Sequence, residues 1–384
     1  MREGWKKRKL GEVCETTSGG TPSKSKVEYY ENGNIPWLRS GEVDRKYIDT
    51  TELFITELGL KNSSAKWFPV NTVVIAMYGA TVGQVGILKK EMTTNQAICG
   101  IFPNDLLCPA FLYYFFITQR DNYLRIATGG AQPNISQTII KNTYIPFPSL
   151  SEQQHIVSEL DCLNGIIEKK KEQLKQLDEL AQSVFYDMFG ELVPAKPLSE
   201  YINFLQSGKS LAGEEVCKNK VLKTSSVSYG HFKKQEFKYL PKEYNPSIEH
   251  KVNHGDLIIS RMNTLELVGS CAYVWEIEEN TYLPDRLWKA ILRKDRINAI
   301  FLWFVLNQAE IKEQIRNNSS GTSGSMKNIS KPSFLKVKIP TIALDLQQQF
   351  ASKITAIEQQ KKLIKQSLTE TETLFNSRMD YYFG

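Results

Sequence analysis

The chain has 384 residues, 41% of them hydrophobic and 23% charged, with a net charge of +6. That is length for two to three cores at roughly 150 residues each and too apolar a composition for a disordered polymer, while Gly 23 and Pro 15 exclude a collagenous or low-complexity one. Six cysteines stand without any C-x-x-C, and the histidines His155, His231, His250 and His254 have no cysteine or carboxylate at ligand spacing. No metal site is therefore expected, and a reducing cytoplasm is the expected compartment. With no apolar run of about 18 residues, the chain is expected neither to span a membrane nor to be secreted.

Self-similarity organises the rest. Aligned at a constant offset of 194, residues 145–190 and 339–384 share twelve identities, among them Ile145/Ile339, Pro146/Pro340, Gln153/Gln347, Gln154/Gln348, Phe189/Phe383 and Gly190/Gly384. The same offset pairs Thr128-Gly129-Gly130 with Thr322-Ser323-Gly324 and Asn134-Ile135-Ser136 with Asn328-Ile329-Ser330, and an offset of 190 sets Phe111-Leu112-Tyr113-Tyr114 against Phe301-Leu302-Trp303-Phe304. The chain reads as a tandem duplication with four segments: 1–144, 145–190, 191–338 and 339–384.

In 1–144, β-rich runs such as Thr72 to Met77 alternate with Gly, Asn and Pro punctuation, and one helix is predicted from Pro109 to Ala127. Segment 145–190 carries a stripe in alternating steps of four and three: Ile156, Leu160, Leu163, Ile167, Lys170, Leu174, Leu177, Ala181, Val184 and Met188. This is an a/d heptad seam on a long helix, with Ser151 at the N-cap position. Segment 191–338 repeats the β-rich pattern, with Asp256 to Ser260 as a strand and Asn298 to Asn317 as a helix. Segment 339–384 repeats the seam with Phe350, Ile354, Ile357, Lys361, Ile364, Leu368, Thr371, Phe375, Arg378 and Tyr382, and Asp345 as its cap. Helices of some 34 residues would be about 50 Å long at ~1.5 Å per residue, and each seam needs the other to be buried. The predicted fold class is α+β: two duplicated α+β domains with mostly antiparallel sheets, each followed by a long helix, the helices pairing as an antiparallel coiled coil with pseudo-twofold symmetry.

Basic residues exceed acidic ones in 1–144 and 191–338 but not in the helices, so two similar basic domains flank a spacer, a geometry suited to a polyanion with two half-sites. Catalytic motifs are missing. Gly19-Gly20-Thr21-Pro22-Ser23-Lys24 has the wrong spacing for a phosphate loop, and Asn245-Pro246-Ser247-Ile248 fails as an amino-methyltransferase loop. Pro284-Asp285 followed by Glu310-Ile311-Lys312 leaves open a Mg-dependent DNA nuclease using Asp285 and Glu310.

Several strings together resemble the specificity subunit of type I restriction-modification enzymes. They are Trp5-Lys6 with Leu10-Gly11-Glu12-Val13, Ser18-Gly19-Gly20-Thr21-Pro22-Ser23, Ile35-Pro36-Trp37-Leu38, and Ile145-Pro146 with Glu152-Gln153-Gln154-His155-Ile156. The second half echoes them in Lys196-Pro197-Leu198-Ser199-Glu200 and Gly255-Asp256-Leu257-Ile258-Ile259-Ser260-Arg261. The resemblance covers the whole chain. It implies a non-catalytic protein whose two target-recognition domains, 1–144 and 191–338, each read one half of a gapped site in double-stranded DNA. The spacer helices 145–190 and 339–384 would act as a ruler and dock two methyltransferase subunits. S-adenosylmethionine for adenine-N6 methylation, and ATP and Mg for motor and nuclease subunits, would belong to those partners, with no cofactor in this chain.

Base edges are read by Arg, Asn and Gln, and phosphates by Lys, Ser, Thr and backbone N–H groups. On that chemistry the candidates in the first copy are Lys24, Arg39, Ser40, Tyr78, Asn95, Gln96, Gln132 and Asn134. In the second they are Lys223, Ser225, Arg261, Asn263, Arg286, Lys289, Lys327 and Asn328. Asn134 and Asn328 have turn-capping as an alternative role, and a coiled-coil scaffold without nucleic acid is a third reading of the chain.

Overall fold

A computed structural model describes residues 5–127, 133–191, 193–321 and 326–384; the Thr128-Gly129-Gly130 and Thr322-Ser323-Gly324 pair and Gln132 lie outside them. The chain divides into two compact units, residues 1–172 with 364–384, and residues 173–363. This division cuts across the four segments read from the sequence. The cause is helix pairing: two 40-residue helices, Leu150–Phe189 and Leu344–Phe383, run antiparallel within each unit, so the start of one lies beside the end of the other.

The two units repeat one topology. In the first, a five-stranded sheet orders Thr16–Ser18, Ile98–Ile101, Val73–Ala76, Val85–Leu88 and Tyr47–Ile48. In the second, a four-stranded sheet orders Ile202–Ser207, Leu287–Leu292, Leu257–Ser260 and Cys271–Tyr273, matching the first four. The registers agree: Ser18 faces Cys99 and Cys99 faces Ile75, as Ser207 faces Trp288 and Trp288 faces Ile259. A parallel pair stands beside each sheet, Trp37 opposite Thr93 and Val221 opposite Tyr282. The central strands Val73–Ala76 and Leu257–Ser260 are buried along their whole length, as runs of β-branched and apolar residues covered on both faces must be.

Each predicted helix following the sheet is two helices. Pro109–Thr118 is followed by Arg120–Ile126, and Ala299–Leu306 by Ala309–Asn317. Asn298 caps its helix by accepting from the Ile300 and Phe301 amides at 2.9 and 3.3 Å. The long helices begin earlier than Ser151 and Asp345 imply: Ser149 accepts from the Glu152 amide at 3.3 Å, and Asp345 lies inside the first turn.

Along the first helix Ile156, Leu160, Ile167 and Ala181 are buried, with Leu163, Leu174 and Leu177 half-buried; along the second Ile354 and Ile357 are buried, with Ile364, Leu368 and Phe375 half-buried. Polar residues interrupt this stripe at specific places. In unit one, Arg378 reaches Glu159 through two hydrogen bonds of 2.5 and 2.9 Å, and the Tyr382 hydroxyl donates to the same carboxylate at 2.6 Å. Lys170 donates to the Ser367 carbonyl and the Thr371 hydroxyl at 3.0 Å each. In unit two, Lys361 is 5% exposed between Asp178 at 2.7 Å and Glu358 at 2.5 Å. Burial works against its charge, and the hydrogen bonds to the two carboxylates outweigh it, holding its pKa above the usual lysine value.

The ends of the long helices are fixed to the domain helices by duplicated contacts. Phe383 meets Phe111 edge-on at 5.3 Å in unit one, and Phe189 meets Phe301 at 5.3 Å in unit two. Beneath each lies a glutamine that the duplication preserves. Gln153 is fully buried, accepts from the Cys108 amide at 2.8 Å and donates to the carbonyls of Leu106 and Pro148 at 3.1 Å. Gln347 is 1% exposed, accepts from the Asn298 amide at 2.9 Å and donates to the carbonyls of Arg296 and Ile342 at 3.3 and 2.8 Å. One amide side chain thus ties the long-helix start to the N-terminus of the domain helix, satisfying backbone groups that burial would otherwise leave unpaired.

Replacing Gln153 or Gln347 by Leu orphans three buried backbone groups and is expected to cost about 2–4 kcal/mol in denaturant unfolding; a loss below about 0.5 kcal/mol would contradict the role given to the amide. The Arg378 hydrogen bonds, more than any other partner, hold the Glu159 carboxyl below the usual range. Its contribution is therefore complete at neutral pH and is lost as pH falls through the lowered pKa. Glu159→Gln should be less stable at pH 7, and its difference from the unaltered chain should shrink between about pH 5 and 3; a pH-independent difference would refute the assignment.

Candidate nucleic-acid interface

Antiparallel neighbours bring the end of Thr16–Ser18, the start of Ile98–Ile101 and the end of Val73–Ala76 to one edge of the unit-one sheet. Three backbone bonds extend that edge: Asn95 N–H to Leu38 O at 2.9 Å, Met77 N–H to Ala97 O at 2.8 Å, and Ile135 N–H to Met77 O at 2.9 Å. Arg39, Ser40, Tyr78, Asn95, Gln96 and Asn134 therefore share one rim. Unit two does the same, with Arg261 N–H to Arg286 O at 3.1 Å and Ile329 N–H to Arg261 O at 3.0 Å. This gathers Arg261, Asn263, Arg286, Lys327 and Asn328, while Lys223, Arg286 and Asp285 line one cleft of about 340 Å³ together with Ser210, Thr224 and Lys238.

Corresponding positions carry corresponding chemistry. Arg39 and Lys223 each precede a short 3-10 turn, Ser40–Glu42 and Thr224–Ser226. Arg39 reaches Glu42 at 3.2 Å and Glu52 at 2.5 Å; Lys223 reaches Glu236 at 3.7 Å. The Ser225 hydroxyl also donates to Glu236 at 2.6 Å, and that bond, then Lys223, holds the Glu236 carboxyl below its ordinary value. Tyr78 bridges Asn134 in one unit, and Met262 faces Asn328 in the other. Two residues after each asparagine a serine caps a short helix: Ser136 accepts from the Ile139 amide at 3.3 Å and Ser330 from the Ser333 amide at 3.2 Å. Asn95 Oδ1 accepts from the Ala97 amide at 3.2 Å, shaping its loop, and Gln96 is exposed beside it. Lys24 is exposed in a turn and Ser40 is half-buried.

Not every candidate faces outward. Lys289 is 7% exposed, donates to the Lys251 carbonyl at 2.7 Å and stands 3.6 Å from Asp256. Burial, the largest influence, raises the Asp256 carboxyl above its usual value even with that ammonium nearby. Lys289 is therefore a structural cation, because its strand position points into the domain. Lys327 donates to the Gly321 carbonyl at 2.7 Å, and Asn263 donates weakly to the Ser260 hydroxyl at 3.4 Å. Arg261 lies 6.0 Å from the Trp288 ring centroid, and its Nε, like Asn328 Oδ1, is buried without a partner among the described residues. Such atoms find their partner in water or a bound molecule.

The hydroxyls Thr21 and Ser210 and the cation Lys238 escaped the sequence reading. The recurrence of Ser18-Gly19-Gly20-Thr21 in Ser207-Gly208-Lys209-Ser210 was the available signal for the first two. Asp285 lines the rim cleft, whereas Glu310 lines a different cleft of about 400 Å³ with Phe185, Tyr186 and Gln308. The two carboxylates thus do not assemble a shared metal site, and among the described residues no group of three or more His, Cys, Asp or Glu could hold a metal. No described helix is long and apolar enough to cross a membrane.

Lys289→Met should destabilise the fold by about 2 kcal/mol, since it leaves Asp256 facing an apolar side chain; Arg286→Ala should leave thermal stability within about 0.5 kcal/mol of the unaltered chain. The reverse order in thermal unfolding would overturn this sorting.

Residues 2–178 match the family model described as the type I restriction modification DNA specificity domain. The MjaIX type I specificity subunit of Methanocaldococcus jannaschii is 34% identical over 197 residues, 50% of this chain and 45% of that protein. A type I specificity subunit of Escherichia coli is 31% identical over 199 residues, 50% of this chain and 49% of its own length. The chain thus spans about half the length of these two curated relatives. A third, the MjaVIII specificity subunit of M. jannaschii, is 22% identical over 93% of this chain and 86% of that protein. Among solved structures, the S subunit of a type I restriction-modification system from M. genitalium shares the fold with a TM-score of 0.64 over 99% of this chain and 96% of that chain, at 17% identity. Residues 2–178 are thus similar to the type I restriction modification DNA specificity domain, and the two units with one strand order, joined to paired long helices, share the fold of a solved S subunit.

Proposed function

We propose that this chain is the sequence-reading subunit of a type I restriction-modification complex, binding a two-part site in duplex DNA through the rims of its two units and carrying no catalysis itself. The observation that supports this most is the repetition of the same rim in both units: a cation before a 3-10 turn (Arg39, Lys223), a hydroxyl on the next loop (Thr21, Ser210), and an asparagine bridged to the strand end (Asn134, Asn328). Polar side chains and loop amides at the ends of buried strands suit the edge of a base pair and its phosphates, and a rigid sheet holds them in place. Segments 1–144 and 191–338 would be the target-recognition domains. A helix of 40 residues is about 60 Å long at 1.5 Å per residue, more than the ~34 Å of one duplex turn, which is length enough for half-sites on successive major-groove faces.

In this reading the long helices dock two methyltransferase subunits, which bring S-adenosylmethionine and methylate adenine N6. Motor and nuclease subunits, where the system has them, bring ATP and Mg. This chain's own residues position the duplex: Lys238, Arg286 and Lys24 by charge, the hydroxyls and amides by hydrogen bonding. Glu52 and Glu236 stand within ion-pair distance of Arg39 and Lys223.

The test is the salt dependence of duplex binding by the full chain with its methyltransferase partner. Affinity should fall steeply with salt, at about 0.9 in log–log slope per phosphate contact, and Lys238→Ala or Arg286→Ala should each lower the slope by about one. Binding indifferent to salt, or slopes unchanged by both substitutions, would contradict the proposal.

A further inference from the structure

The rims also differ, at one position, in a way that bears on what each reads. The loop entering strand Ile98–Ile101 carries Gln96, and the loop entering Leu287–Leu292 carries Asp285 at the same place, 189 residues later. Three independent features repeat at that spacing. The sheet registers pair Ser18 with Cys99 and Ser207 with Trp288. A Cβ on Gly19 would collide with the Thr94 carbonyl oxygen, and one on Gly208 with the Leu283 carbonyl oxygen. The Thr21 hydroxyl donates to Gln96 Oε1, and the Ser210 hydroxyl to Asp285 Oδ1. The Asp285 amide donates back to the Ser210 oxygen at 3.2 Å. Two crossing loops are thus locked together in each unit by a glycine that admits no side chain and by a hydroxyl that fixes the next polar residue. Both Gln96 and Asp285 remain exposed.

With one oxygen of each side chain occupied by the hydroxyl, what remains differs in kind. Gln96 keeps its Nε2 group, a donor. Asp285 keeps Oδ2, which is acceptor-only when ionised and has no hydrogen-bond partner among the described residues. In the major groove, acceptors are purine N7, guanine O6 and thymine O4, whereas donors are only the exocyclic amino groups of cytosine and adenine. A bare carboxylate at a polyanion is repelled unless it meets such an amino group, and Lys223, Lys238 and Arg286 in the same cleft offset that repulsion.

We infer that Gln96 and Asp285 are corresponding base-reading side chains, Gln96 donating to an acceptor-bearing base in one half-site and Asp285 accepting from the amino group of cytosine or adenine in the other. This rests on the proposed function. The two half-sites consequently differ at matching positions, and each loop sets the identity of one base pair.

The experiment expresses the full chain with its methyltransferase partner in cells lacking other adenine methylation and reads the methylated motif genome-wide. Asp285→Asn gains a donor, so the preference at one base pair of one block should change by ~10- to 100-fold, with the other block intact. Asp285→Glu should keep the original base. Gln96→Glu should alter one base pair in the opposite block only. An Asp285→Asn motif identical to the original, a change spread over both blocks, or equal loss of methylation in Asp285→Asn and Asp285→Glu would overturn the inference. If the unaltered chain directs no two-block motif, it is the proposed function that fails.

Discussion

A 40-residue helix with one narrow apolar stripe has no way to bury that stripe alone, and this constraint governs the whole chain. The remedy is antiparallel pairing, which puts the beginning of each helix beside the end of the other. Each compact unit is therefore built from both halves of the duplicated sequence. The helix Pro109–Thr118 of unit one receives Phe383 from the far end of the chain, and Ala299–Leu306 of unit two receives Phe189. The seam is not uniformly apolar. Glu159 with Arg378, Lys170 with Ser367 and Thr371, and Lys361 with Asp178 each occupy a defined level, and polar groups of this kind specify register where leucine and isoleucine would tolerate a slip.

The buried glutamines connect that seam to the rims. Gln153 and Gln347 bind the long helix to the N-terminus of the domain helix, which packs on the strands whose far ends carry the polar loops. A reading surface needs such support, because a displacement of about an ångström misplaces a hydrogen bond to a base edge. The glycines Gly19 and Gly208 add a local version of the same rigidity, bringing one loop backbone against another more closely than any side chain would permit. The energetic core and the candidate interface are thus parts of one framework rather than a scaffold with decorations.

Much of this was legible in the residues. The heptad steps and the constant offset of 194 mark both helices and their pairing, because helices repeat without insertions. Within the sheets the offset drifts, from 189 at Ser18 and Ser207 to 184 at Ile75 and Ile259, since loops of different length intervene. That drift hid the equivalence of Thr21 with Ser210 and of Gln96 with Asp285. Lys289 illustrates another limit: a lysine in a strand reads as solvent-facing until the partner strands show that its carbonyl and carboxylate partners lie inside. The first long helix starts before Ser151 because Ser149, directly after Pro148, is the residue whose hydroxyl accepts from the Glu152 amide.

The central claim, that two equivalent rims grip one duplex at separated places, is tested most directly by hydroxyl-radical footprinting of the full chain with its methyltransferase partner on DNA carrying its site. The account predicts two protected patches separated by an interval near one helical turn, about 10 base pairs, with the patch assigned to unit two weakened selectively when its rim cations are removed. A single continuous patch, or one that weakens uniformly when either rim is altered, would contradict it.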